Sequence, residues 1–209
     1  MIAQGSSDQM TPEEYLAFEE KSPIKYEYID GKIYAMSGTT DVHNTIAQNA
    51  QIALRSHLRG SGCDTYIADI KAQLPHRRKY YYPDVMVTCD PADRADSKVK
   101  CFPKLIVEVL SVSAEGFDRG DKFADYQTFE SLEEYVLINT RRKRVEIFRR
   151  AEKGLWVLQT YQEDENTTVN NDTNVTVEFK SVDLQVDLSE LYIDARLEDT
   201  KSETSEERE

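Results

Sequence analysis

The chain has 209 residues, room for one domain of ordinary size, and its 39% hydrophobic and 10% aromatic content can bury a sizeable core. Lys and Arg number 26 against 39 Asp and Glu, a net charge of −13 that excludes a protein coating nucleic acid or a membrane surface by bulk charge, while leaving room for a local basic patch. No stretch approaches the roughly 18–20 apolar residues of a membrane span, and MIAQGSSDQM has neither the basic nor the apolar region of a signal peptide. A cytoplasmic protein with no membrane partner is expected. Cys63, Cys89 and Cys101 are odd in number and widely spaced with no CxxC pair, which predicts reduced thiols and neither a disulfide framework nor a cysteine zinc site.

Residues 1–10 are polar and aperiodic and read as a flexible head. Thr11-Pro12-Glu13-Glu14 then supplies an N-cap, a proline at the first helical position and a glutamate at the third, so a short helix begins there. From Lys25 the period changes to two. Tyr26–Ile29, the dipeptide Asp30-Gly31 and Lys32–Met36 read as a hairpin with a two-residue turn. Thr40 or Asp41 can cap a helix running to about Arg59, with Ile46, Ala50, Ala53, Leu54 and Leu58 as its apolar stripe. Residues 64–74 suggest one or two strands, Tyr80–Cys89 a strand with Pro83 near its start, and Lys104–Leu110 a buried strand. A helix over Asp118–Glu130 follows, then strands at Glu134–Asn139 and Arg144–Arg149, with Leu155–Tyr161 and Val175–Phe179 as outer strands. Residues 163–174 are an acidic, Asn/Thr-rich loop. This order predicts an α/β (α+β) domain, a mixed β-sheet flanked by helices, over residues 11–193. The acidic segment 194–209 is expected to be a disordered tail.

Glu108 is the most unusual residue. It interrupts Leu105-Ile106-Val107 and Val109-Leu110, a run that should be buried on both faces, on the strand face of Ile106 and Leu110. An ionised carboxylate there costs several kcal/mol (order of magnitude) unless it is paired or binds a metal. Asp84 likewise heads the apolar strand Val85-Met86-Val87. Two neighbouring strands could bring both acids to one divalent cation, and Mg²⁺ favours one or two carboxylates plus water and substrate phosphate. The bland alternatives are an edge-strand glutamate facing water and an aspartate ending a turn.

Pro83-Asp84, the strand carrying Glu108, Ser111-x-Ser113 and Asp118-x3-Lys122-x3-Tyr126 together resemble the Uma-type family of restriction endonucleases, within the PD-(D/E)XK nuclease superfamily. The hairpin Tyr26–Gly31, Met36-Ser37 with His43, and the closing strands at Glu134–Ile138 and Arg144–Phe148 extend the resemblance over most of the domain. It implies a restriction-endonuclease-like fold and a Mg²⁺- or Mn²⁺-dependent endonuclease hydrolysing phosphodiester bonds of DNA, with RNA also open. Asp84 and Glu108 would hold the metal and Glu27 would add an acid from the early hairpin. Many relatives of the fold cut duplexes as dimers, so a homodimer is expected. One position departs from the pattern: where the superfamily places lysine, two residues after the strand acid, this chain has Leu110. Lys122, one helical turn before Tyr126, is the natural substitute.

His43 could contact phosphate or move a proton, Arg77, Arg78 and Lys79, leading into Asp84, could contact phosphate, and Tyr126 is a further substrate-binding candidate. The rival reading is a nuclease fold that has lost turnover and serves as a binding module; Leu110 and the acidic balance favour it. Templates for P-loop, GxGxxG, HExxH and GxSxG chemistry are absent.

Overall fold

The computed structural model describes residues 2–3, 9–36, 38–76, 78–163 and 175–197. Most of the head, most of the Asn/Thr-rich loop, the end of the acidic tail, and Arg77 therefore lie outside the described residues. The described head segment Ile2–Ala3 (β1) pairs antiparallel with the second strand of the hairpin.

Thr11 caps α1 (Pro12–Glu19) with the reciprocal hydrogen bonds of a capping box. β2 (Tyr26–Ile29) and β3 (Lys32–Ala35) form the expected hairpin. Asp30 and Gly31 take φ of 48° and 95°, the left-handed turn whose twist matches antiparallel strands. A side chain at Gly31 would also come within 3.0 Å of Gln9. Thr40 caps α2 (Asp41–His57), whose Val42, Ile46, Ala50 and Leu54 are buried. The 64–74 segment divides into β4 (Asp64–Ile67) and β5 (Lys71–Gln73).

The single strand expected over Tyr80–Cys89 is two, β6 (Lys79–Tyr81) and β7 (Val85–Thr88), which enter different sheets. Pro83 lies in the break between them; it has no N–H for a ladder, so neither sheet can run through it. β8 (Val99–Lys100) is short, and β9 (Pro103–Leu110) is the long central strand. The helix expected over Asp118–Glu130 is likewise two pieces, α3 (Glu115–Arg119) and α4 (Asp121–Tyr126). Gly120 (φ −108°, ψ −104°) breaks the ladder, a conformation outside the helical region. β10 (Glu134–Asn139), β11 (Arg144–Arg150) and β12 (Trp156–Gln162) follow as expected. β13 (Thr176–Phe179) is not an outer strand of that sheet. It pairs with β14 (Leu184–Asp187) in a separate hairpin before α5 (Leu188–Leu191).

Among the described residues the strands make two six-stranded sheets, β12-β11-β10-β9-β7-β4 and β1-β3-β2-β6-β5-β8, with β13-β14 apart. The mixed α+β architecture is as expected, although its strands divide between sheets. In the first sheet β9 and β10 are parallel, joined by the crossover through α3 and α4, and β7 runs antiparallel to β9. Alternation sorts β9 between two cores. Leu105, Val107 and Val109 pack with α2, the β13-β14 hairpin and α5, while Ile106 and Leu110 pack with Phe123, Tyr126, Tyr135 and Tyr81. A third cluster, Tyr15 with Tyr26, Tyr28 and Tyr80, joins α1 to the second sheet.

The expectation for the cysteines is also overturned. Cys63 and Cys89 form a disulfide, their Cα atoms 4.0 Å apart. They sit just past the paired ends Asp64 and Thr88 of β4 and β7, where the antiparallel register sets them opposite each other. Their separation in sequence hides this, because only strand pairing makes them neighbours. Cys101 is free. No helix among the described residues is long and apolar enough to cross a membrane.

Candidate active site

The two sheets diverge at Pro83, and the chain crossing between them carries Tyr82 and Asp84. Continuing the β7–β9 register by one residue beyond Val85–Val107 sets Asp84 opposite Glu108. Both side chains reach the gap between the sheets, and Asp84 Oδ2 accepts the Val109 N–H at 2.8 Å. Glu27 on β2 faces the same gap; it is 4% exposed and accepts the Tyr82 N–H at 3.2 Å. From the first turn of α2, His43 Nε2 stands 3.2 Å from Asp84 Oδ2.

Lys122 closes the cluster. The break at Gly120 separates α4 from α3, and from the start of α4 the Lys122 ammonium stands 2.8 Å from Glu108 Oε1, 3.5 Å from Asp118 Oδ1 and 3.6 Å from Glu27 Oε1. Tyr126, one turn on, donates to Glu108 Oε1 at 2.9 Å. Leu110 is packed in the apolar core beside Ile106 and Phe123. A lysine there would be buried among hydrocarbon, whereas Lys122 supplies the charge from the facing helix.

The electrostatics follow from burial. Desolvation pushes the Glu108 carboxyl well above the ordinary carboxylate range; the Lys122 ammonium draws it back in part, and the charges of Asp84 and Asp118 raise it again. Asp118 is raised for the same reasons, burial first, with Asp84 and Glu27 as its repelling neighbours. Burial opposes the Lys122 charge, but Glu108, Glu27, Tyr126 and Asp118 outweigh it and hold the ammonium pKa well above the usual lysine value. Burial also pulls His43 down, while the hydrogen bond and charge of Asp84 more than restore it, leaving it above an ordinary histidine.

These groups line one open cavity of about 420 Å³ between the sheets, its rim formed by Gly38, Thr39, Thr40 and the hydroxyls of Ser111 and Ser113. Of the residues predicted from sequence, Asp84, Glu108, Lys122, Glu27 and His43 all reach this cavity, with Tyr126 behind Glu108. Lys79 lies in a neighbouring cavity, ion-paired to Asp125 at 2.6 Å, and Arg78 is exposed and paired with Asp30 at 3.3 Å. Arg77 lies outside the described residues. Asp118 and Tyr34 also line the cavity and had been given no role from the sequence. Asp118 was visible only as one member of the Asp-x3-Lys-x3-Tyr spacing, and Tyr34 left no signal beyond alternation in its strand.

Among the described residues, no three His, Cys, Asp or Glu side chains are grouped as a metal site. Lys122 stands where three of the carboxylates meet. The donors nevertheless suit a hard cation. Asp84 and Glu108 offer oxygen ligands from adjacent strands, and Mg²⁺ completes its shell with water and phosphate rather than with an all-protein cage.

The comparisons with known proteins give the family and the fold. The family model described as "Uma2: Putative restriction endonuclease" matches residues 12–183. The chain belongs to the Uma2 family. Two uncharacterized proteins of Synechocystis sp. are similar along most of their length. One is 35% identical over 195 residues, covering 92% of this chain and 97% of the relative. The other is 32% identical over 160 residues, covering 76% and 90%. The crystal structure of "a putative nuclease belonging to DUF820" from Anabaena variabilis superposes with a TM-score of 0.68 at 15% identity, over 88% of this chain and 98% of that one. At that identity the likeness speaks for the fold this Uma2 protein shares with it.

Proposed function

We propose that this protein is a Mg²⁺-dependent endonuclease that hydrolyses phosphodiester bonds of DNA. The observation that carries the reading is the placement of the Lys122 ammonium 2.8 Å from Glu108, in the same cavity as Asp84. That geometry restores the lysine which Leu110 removes from the usual position, and it weighs against the fold being only a binding module.

Asp84 and Glu108 would hold the metal, which when bound supplies Lewis acidity at a phosphate oxygen and an acidified water. The chain's own groups do the rest. Glu108 is fixed by the Tyr126 hydroxyl and Asp84 by the Val109 N–H, so neither carboxylate has to reorganise when substrate arrives. Lys122, shared among three carboxylates, can turn its ammonium toward the charge that develops on the phosphoryl oxygens. Glu108, and behind it Glu27, keep Lys122 protonated. His43 orients Asp84 from the far side and stands at the rim, where it can contact a phosphate oxygen.

The test is calorimetric titration with Mg²⁺ or Mn²⁺, followed by cleavage assays on labelled DNA. Wild-type protein is expected to bind the ion, and Asp84→Ala and Glu108→Ala to lose that binding. Lys122→Met is expected to lower the cleavage rate by roughly 10²–10³-fold, the usual effect of removing one preorganised charge-stabilising group. Failure of the wild-type protein to bind either ion at millimolar concentration would reject the mechanism.

A further inference from the structure

A second cavity, about 450 Å³, adjoins the acid-lined one and shares Tyr34, Ser113 and Ala114 with it as walls. Both volumes fall in the range of ordinary small-molecule sites, roughly 300–1,000 Å³. The two cavities have different chemistry. The first is lined by carboxylates, whereas the second is walled by Ile29, the rings of Tyr34, Tyr81 and Phe117, and Ala124, with Lys79, Asp121 and Asp125 around it.

Tyr34 divides them. It lies directly opposite Glu27 in the β2–β3 register, so both side chains leave the same sheet face. Tyr81 and Phe117 meet edge to face with centroids 6.1 Å apart, and the Tyr81 hydroxyl is held by Asp125, so that wall is already ordered.

The charges at the groove do not suit a duplex. Recognition of paired DNA draws much of its affinity from Lys and Arg that neutralise successive phosphates. Here the lysines that line the two cavities, Lys122 and Lys79, are both ion-paired to carboxylates of the protein. Arg141, Lys143 and Arg144 of the basic β10–β11 turn are paired to Glu115, Glu163 and Glu146 respectively. A groove with an acidic metal-type site at one end and an aromatic wall at the other fits a nucleotide whose phosphate meets the acids and whose base stacks on the ring of Tyr34. A base can do that only when it is out of its pair.

We infer that the second cavity is a nucleobase subsite, with Tyr34 as its stacking wall, and that the substrate strand is unpaired where it is cut. This inference rests on the nuclease reading and adds the class of substrate.

The experiment is equilibrium binding by fluorescence anisotropy, with Ca²⁺ replacing Mg²⁺, using a short labelled single strand, the corresponding duplex, and the single strand with one base removed. The single strand is expected to bind at least about 10-fold tighter than the duplex, with weak dependence on salt. Tyr34→Leu should lose about 10-fold for the single strand, in line with the stacking energy of one base, while Tyr34→Phe, which keeps the ring, should retain affinity. Against the abasic strand the wild-type and Tyr34→Leu proteins should bind alike. Duplex bound as tightly as single strand, as by a homodimer cutting paired strands, would overturn the inference. So would full affinity of Tyr34→Leu together with Mg²⁺ binding and cleavage by the wild-type protein, a result that leaves the nuclease reading standing. Wild-type protein that binds neither divalent ion nor any nucleic acid would overturn both.

Discussion

At the scale of single residues the site is a problem in burying charge. Glu108, Glu27, Asp118 and Lys122 are each 5% exposed or less, and they are tolerated together because each carboxylate faces the one ammonium. Removing that ammonium leaves three buried carboxylates without a counter-charge. Lys122→Met is therefore expected to destabilise the metal-free protein by about 3–5 kcal/mol at neutral pH, and the double variant with Glu108→Gln to recover part of the loss. Urea denaturation of the four proteins of the cycle measures this. Glu146 behaves in the opposite sense. Burial raises its carboxyl, but Arg119 and Arg144 outweigh burial and hold it below the ordinary value. A depressed folded pKa contributes stability that is present above the unfolded carboxylate range, near pH 4.5, and is lost as pH falls through the folded value. Wild-type protein should therefore lose more stability on acidification below about pH 4.5 than Glu146→Gln does, and urea midpoints across that window would show it. Glu108 was legible as an anomaly because its neighbours are all apolar. Lys122 was legible as a candidate through its spacing to Tyr126, but its contact with Glu108 was not, because spacing does not say which way a helix faces.

At the scale of elements, local chemistry decided the boundaries wherever one residue type dominates the backbone. The Thr11 capping box and the Asp30-Gly31 turn form as the residues dictate. Gly31→Ala places a side chain at φ 95° and against Gln9, which should cost about 1 kcal/mol and lower Tm by roughly 2–4 °C in a thermal melt of a chain this size. Pro83 was visible as well, and Gly120 lay inside an expected helix, but the consequences of neither were legible. Propensity treats both as local interruptions. In the fold, Pro83 lets the chain step from one sheet to the other, and Gly120 lets α4 start afresh. Those two breaks place Asp84 and Lys122 at the same cavity.

At the scale of the molecule, the pairing of strands distant in sequence decides the rest. The β4–β7 register brings Cys63 to Cys89, against the expectation from composition. Denatured, unreduced protein should therefore titrate with one thiol, Cys101, and reduced protein with all three. A disulfide of this kind typically contributes about 2–4 kcal/mol, so reductant should also lower the thermal midpoint. Local pattern was enough for the caps, turns, most strands, the α+β class and the acids that open or interrupt apolar strands. These follow from periodicity and from the backbone limits of individual residues, both of which act over a few positions. Tertiary packing set the rest: the strands divide into two sheets, the Lys122 ammonium stands against Glu108, Asp118 joins the cluster, and Tyr34 walls two adjoining cavities. Those features depend on which faces meet across the gap between the sheets, and that is set by long-range register and packing rather than by neighbours in the chain.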